Sequence, residues 1–468
     1  MASKVVVTKS KLNNIGDAIR EKLGKTQQYS LDEMPVKIRA ISGSGSGSGA
    51  TVTITTETEE FYGKTVTLTD GHESMTASFS NEGVAVFQGV EMEGELTVSV
   101  TVDGNTYEAI VEVQTHYNVA LEGAHVYGAY WDGSSTSKWT RTDLAADFED
   151  PEPAENNGTG SSPFDNIYPW SGMVRVDDPE IGAAVKIPKF YFKLSRDQES
   201  DMRLQISDKP LNGFHTCPAC ADRGDGNGER DYMLIGRYKC GTSYKSQTGN
   251  GANYFRPNEF RTNIHNLGSH AWMCDISTYM TIWMLYLVEF ADWNSQKTIG
   301  YGCFNNPTKL GYTDSMQYHT GSVGSKTGYT GEQYRNIEGL WDNKYEFCDG
   351  IYAKSDNGIY VIKNPADFSF ESGGTLVGTR LIASSKYITS MSISDVPGFE
   401  WFMFPNKCTG GSENTYICDT YSCSDNTYPV LMVSNQCSTS QIFGLFTLRF
   451  TMVTDRDTNT GARPMKLP

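Results

Sequence analysis

The segment YMTIWMLYLVEFADW, starting at Tyr279, is apolar around nearly its whole helical circumference, with Asp275 or Ser277 placed to cap it. A helix with no polar stripe has to be surrounded by protein, so a large core must be built around it. The segment is too short to cross a bilayer and carries Glu289, which argues against membrane insertion. With 468 residues the chain has room for two to four domains.

Elsewhere the pattern is extended and loop-rich. From Ala50 to about Thr115 the runs TVTITT, KTVTLT, GVAVFQGV, GELTVSVTV and TYEAIVEV alternate with period two. Asp70-Gly71 and Asp103-Gly104 mark turns between them, so a small antiparallel β-sandwich over 50–116 is expected, with a spacer role. Residues 1–42 read as two short helices: Leu12, Ile15, Ile19 and Leu23 recur at helical spacing, and Ser30 with Glu33 forms a capping box. So small an element must attach to something else, such as a neighbouring subunit. SGSGSGSG reads as a flexible linker over 43–49, and residues 117–468 form the remaining domain.

The net charge of −17 disfavours nucleic acid and anionic membranes as partners, because no basic stripe is present to release counterions. The polar start MASKVVVTKSK is not a signal peptide, so synthesis in a cytoplasm is expected.

Several local patterns invite metal chemistry. HTCPAC brings His215, Cys217 and Cys220 together, and Cys240 follows, leaving zinc, a disulfide or free thiols open. GLWDN, Gly339 to Asn343, offers too few oxygens for calcium, and a structural Trp341 beside a turn-forming Asp342 is expected. DRGDGNGERD, Asp222 to Asp231, lacks the carboxylate spacing of a calcium loop and reads as a mobile hairpin tip. No Ser-His-Asp order or paired-carboxylate motif is recognisable, so no enzymatic activity is expected.

LNNIGDAIREKLG and SLDEMPVKIRAI resemble the leader of bacteriophage tail fibre proteins from phages and prophages of gut bacteria. SHAWMCDISTYMTIWMLYLVEFADWNSQ and YRNIEGLWDNKYEFCDGI resemble the body of a C-type-lectin-like, or formylglycine-generating-enzyme-like, domain in such fibres. GGSENTYICDTYSCSDNTYPVLMVSNQCSTSQIFGLFTLRF and the closing TGARP resemble its receptor-facing end. The resemblance implies an α+β multi-domain protein: a short N-terminal helical element, an Ig-like β-sandwich and a C-terminal C-type-lectin-like domain. It implies a virion tail adhesin for a bacterial surface protein or polysaccharide, joined to other tail proteins through residues 1–42. A homotrimer follows, since linked weak sites gain avidity. A structural tail component, and less so a formylglycine-generating-type oxidoreductase, are the alternatives.

In part of that family a retroelement rewrites Asn codons in the final segment, here about 412–460. From Ser412 to Tyr428 every residue except Glu413 and Ile417 is Ser, Thr, Asn, Asp, Cys or Tyr, the bias such rewriting leaves. Tyr with Ser, Asn and Thr suits a binding surface. The resemblance and the alternation place Tyr416, Asp419, Tyr421, Ser422, Ser424, Asn426 and Tyr428 on one edge of the expected site. Ser438, Thr439, Gln441, Phe443, Thr447, Arg449 and Thr451 form the other. Val430, Leu431, Val433, Leu445, Phe446 and Leu448 should pack inward.

Overall fold

The computed structural model describes residues 50–56, 58–90, 95–112, 117–120, 123–198, 200–302, 309–324, 330–342, 344–423, 425, 427, 429–434, 443–456 and 458–468. The expected helical element at 1–42 and the Gly/Ser linker lie outside them. The chain divides into two compact units, Met1–Gly123 and Ala124–Pro468.

The first unit contains two small sheets. One orders Val84–Val90, Ala50–Thr55 and Tyr117–Ala120; the other orders Ser74–Ser78, Thr65–Thr69, Glu95–Val102 and Asn105–Glu112. Ala50–Thr55 runs parallel to Tyr117–Ala120, so the unit is not wholly antiparallel as its hairpin signals imply.

In the second unit the apolar helix is real. Helix α2 spans Ile276–Phe290, after α1 at Pro257–His265 and before α3 at Ser295–Thr298. The Asp275 side chain accepts from the Thr278 N–H at 2.9 Å, satisfying one orphan donor of the first turn. Ala291, at φ 49°, ends the helix in a left-handed conformation. Every residue of α2 is buried. It packs on strands Val126–Trp131, Met202–Ser207 and Tyr345–Ala353. Its one charge, Glu289, is compensated by Arg335 and by hydrogen bonds from the Tyr334 and Ser162 hydroxyls, as a buried carboxylate requires.

Strand takes up 41% and helix 10% of the described residues, which overturns the expected α+β class. The chain is predominantly β, and the assignment of an Ig-like and a C-type-lectin-like domain falls with it. The error has a local cause. One long apolar helix dominates the sequence pattern, whereas many of the strands are two to five residues long and sit among Gly, Asn and Ser, where they read as loops.

The largest sheet orders Thr375–Thr379, Gly358–Val361, Tyr345–Ala353, Val430–Ser434, Leu448–Thr451, Thr420–Cys423 and Ala383–Tyr387, with Thr460–Gly461 added beside Tyr345–Ala353. Its two edge strands, Thr375–Thr379 and Ala383–Tyr387, are joined by only Arg380, Leu381 and Ile382. Flat, those edges would stand roughly 29 Å apart at ~4.8 Å per strand spacing. A link of that length reaches about 14 Å. The sheet therefore curls into a half-barrel, whose interior holds Phe404, Tyr421 and Phe450 in mutual ring contact.

Candidate functional site

The half-barrel decides which residues of the C-terminal segment face solvent. Thr420–Cys423, Leu448–Thr451 and Val430–Ser434 are adjacent strands, and all five residues of Val430–Ser434 are buried, with Leu445, Phe446 and Leu448 also inside. Tyr421, Asp419, Thr447 and Thr451, placed on the display surface by sequence, are buried too. Tyr421 turns into the barrel, where its hydroxyl donates to the Leu381 carbonyl at 2.8 Å and burial pushes its pKa far up. Asp419 accepts from the N–H groups of Gly444 and of Phe446, the latter at 2.8 Å. Thr451 donates to Asp455. Sequence places Tyr421 and Ser422 together on the display surface, whereas neighbouring strand residues face opposite sides of the sheet and its closure makes the Tyr421 side interior.

Arg449 is exposed, its guanidinium 5.1 Å from the Tyr345 ring centroid. Ser422, Tyr416 and Phe443 are half-buried; the Tyr416 N–H donates to Ser135 and the Phe443 N–H to Gln296. Ser424, Asn426, Tyr428, Ser438, Thr439 and Gln441 lie outside the described residues. Replacing Tyr421 by Phe is expected to lower stability by about 1 kcal/mol through the lost bond to Leu381. Urea denaturation of both proteins checks it.

Strand directions bring four connections to one end of the half-barrel. They are the turn after Ala353, the link Arg380–Ile382, the residues between Cys423 and Val430, and the segment after Thr451. Buried Arg380 ties this end together, donating to the Lys354 carbonyl at 3.1 Å with its guanidinium 5.1 Å from the Phe450 ring centroid. Asp356, Asp425 and Thr427 are exposed there, as are Ile382 at 51% and Met452 at 41%. Ile382 and Met452 are thus exposed large apolar side chains among polar loop residues at this end.

The metal readings are not supported by the geometry. Among the described residues no three His, Cys, Asp or Glu side chains are grouped to hold an ion. His215 is exposed against the Phe192 ring, while Cys217, Cys220 and Cys240 are buried thiols without disulfides. The neighbouring Cys217 thiol and burial raise the pKa of Cys220, and burial pushes that of Cys240 up to about 12. Trp341 is buried, its ring N–H donating to Gly300 at 3.0 Å, a scaffold role.

HTCPAC instead forms a wall of a cleft of about 530 Å³, within the ~300–1,000 Å³ of small-ligand sites. His215–Thr216 pairs with Tyr191 and Phe192, which brings Phe214 and Tyr191 to the cleft as half-buried rings. The loop expected to be a mobile hairpin tip is pinned at both ends. Arg223 is buried, its Nε donating to the Lys363 carbonyl at 2.8 Å and one Nη to Asp275, the α2 cap. Arg230 donates to the carbonyl of Pro468 at 3.1 Å. The other Nη of Arg223 has no protein partner.

Across the cleft, Gly398 takes φ 82°, and a Cβ there would stand 2.9 Å from the Lys363 ammonium. That ammonium lies 4.5 Å from the Phe399 ring centroid. Burial lowers its pKa, and the Glu400 carboxylate opposes the shift. Sequence reading missed these residues; the only local hints are an Arg inside an acidic Gly-rich loop and the Pro397-Gly398 turn.

No family model and no curated protein matches the chain. Among solved structures, a DUF3823 family protein from Parabacteroides merdae aligns over 36% of this chain and 79% of its own, at 13% identity and a TM-score of 0.15. So low a score carries nothing about fold or function.

Proposed function

We propose that the chain is a phage tail adhesin that binds a bacterial surface receptor without turning it over. The observation that carries this reading is the loop end of the half-barrel: connections between its strands meet there, with Ile382 and Met452 exposed among Asp356, Asp425 and Thr427. Loops held by a rigid scaffold tolerate sequence change while the fold stands, which is what a receptor-facing surface needs. The resemblance of the C-terminal segment to diversified tail proteins supports the same reading. The contact surface is therefore drawn at this end and on outward-facing Ser422 and Arg449. Tyr421 and Asp419 serve as its support.

In this reading residues 1–42 attach to other tail proteins, the chain is made in the host cytoplasm, and it acts as a homotrimer at the cell surface. Light scattering of the full chain is expected to give a trimer; a stable monomer contradicts the oligomeric part. The binding test is flow cytometry of the labelled full chain on a panel of gut bacterial isolates. At least one isolate should be bound, and the double variant Ile382→Asp/Met452→Asp should bind it at least about tenfold more weakly, since central apolar contacts dominate interfaces. Binding to no isolate, or unchanged binding by a folded variant, rejects the proposal.

A further inference from the structure

The cleft at HTCPAC is a second surface. Lys363 follows strand Gly358–Val361, whose other end lies at the turn after Ala353, so Lys363 leaves the half-barrel opposite Ile382 and Asp425. From its lining we propose that this cleft binds a neutral saccharide.

The argument begins with charge. Arg223 and Lys363 supply cations, while Asp222, Glu229 and Glu400 supply carboxylates. Arg223 already faces Asp275, and Glu400 stands near Lys363, so neither cation offers an unopposed field to an anion. A basic ligand meets the two cations, and an acidic ligand meets three carboxylates on a chain of net charge −17. The lining instead alternates strong donors with strong acceptors.

A sugar hydroxyl both donates and accepts, so a row of such hydroxyls matches that alternation in a way that no single-sign ligand does. Arg223 is a buried cation of the lining, held in place by two fixed bonds, one to Asp275 and one to the Lys363 carbonyl. The half-buried rings of Phe214 and Tyr191 supply apolar faces for the C–H side of a pyranose, as small-ligand sites combine apolar walls with a few placed polar groups. Preorganisation is high. Arg223 is fixed by Asp275 and the Lys363 carbonyl, and Thr216 donates to Glu229 at 2.6 Å.

The test applies the full chain to an array of hexose and N-acetylhexosamine oligosaccharides beside sialylated and uronic acid oligosaccharides. Binding to at least one neutral member is expected. Lys363→Ala and Glu400→Gln should each weaken it at least about tenfold, the size of a lost hydrogen bond to a charged group, with the melting temperature unchanged. Ile382→Asp/Met452→Asp should leave it intact. Binding confined to acidic members, binding to no glycan, or binding that survives both cleft variants overturns the proposal. Glycan binding lost only in the Ile382/Met452 variant overturns it too, while leaving the adhesin reading standing; retained glycan binding with unaltered cell adsorption in that variant does the reverse.

Discussion

Replacing Arg463 by Met is expected to lower the unfolding free energy of the second unit by about 3–5 kcal/mol, the range for breaking a buried ion pair from one side. Arg463 lies in the closing TGARP and is fully buried. Its Nε and one Nη reach the two Glu346 oxygens at 3.1 Å each. Its Nη groups also donate to the carbonyls of Gly236, Arg237, Glu338 and Gly339 at 2.9 to 3.2 Å. Glu346 receives the Tyr279 hydroxyl from α2 and pairs with Lys239 at 3.2 Å. Burial alone would raise the Glu346 pKa, but Arg463 and then Lys239 hold it below the ordinary carboxylate value. Methionine fills similar volume yet leaves a buried carboxylate half-compensated and takes a donor from four carbonyls, of which Arg237 still accepts from the Glu338 N–H and Gly339 from Lys239. Urea denaturation at pH 7 should show a lower midpoint with an unchanged slope. A loss below about 1 kcal/mol would show that water or rearrangement replaces the guanidinium, and that TGARP is not the clamp of the core.

What the sequence disclosed and what it hid follow from the range of the interactions. Helix α2 was legible because its cap and its all-round apolar surface are properties of consecutive residues. The β-rich character was legible in part, from period-two runs such as GELTVSVTV. The half-barrel was not, because it depends on how strands far apart in sequence pair and on the reach of a three-residue link. Tyr421 was misplaced for that reason: its polar hydroxyl and its neighbours suit a display surface, yet the Leu381 carbonyl across the closed sheet takes the hydroxyl. Arg223 was hidden more deeply. Its partners Asp275 and Lys363 lie 52 and 140 residues away. In sequence, therefore, it looks like one more charge in a solvated loop. The cysteines of HTCPAC, whose spacing left zinc, a disulfide or free thiols open, are buried free thiols. Binding surfaces set by long-range closure have to be read from the fold.

Raising the pH from 5 to 8 is expected to destabilise the second unit, by a net amount on the order of 3 kcal/mol. Burial pushes the Asp419 pKa up to about 7 from its ordinary 3.8, with two backbone N–H groups from Phe446 and Gly444 only partly opposing it. Glu338 is raised by burial to about 7 from 4.5, against hydrogen bonds from Thr313 and Gly311. For a carboxyl raised on folding, the native chain holds a proton that the unfolded chain releases. The associated stability is present at acid pH and is lost as pH rises from the unfolded value through about 7. Burial raises Glu332 well above its ordinary value as well, adding in the same direction. Carboxylates held low, such as Asp178 and Asp150, gain their stability below this window and stay constant within it. One group opposes the trend: burial and then Arg335 lower the His319 pKa, so native stability from that residue rises as pH passes its ordinary 6.5. One imidazole is outweighed by three carboxyls. Asp419→Asn removes the titration while keeping an acceptor for one of the two amides, which donate to different carboxylate oxygens, and should flatten roughly a third to a half of the decline, given the similar shifts of Asp419 and Glu338. Unfolding free energies from urea titrations at pH 5, 6.5 and 8 for both proteins decide the matter. Stability that climbs across the window, or a decline equally steep in the variant, would mean that Asp419 is ionised in the folded chain, its charge held by those two amides.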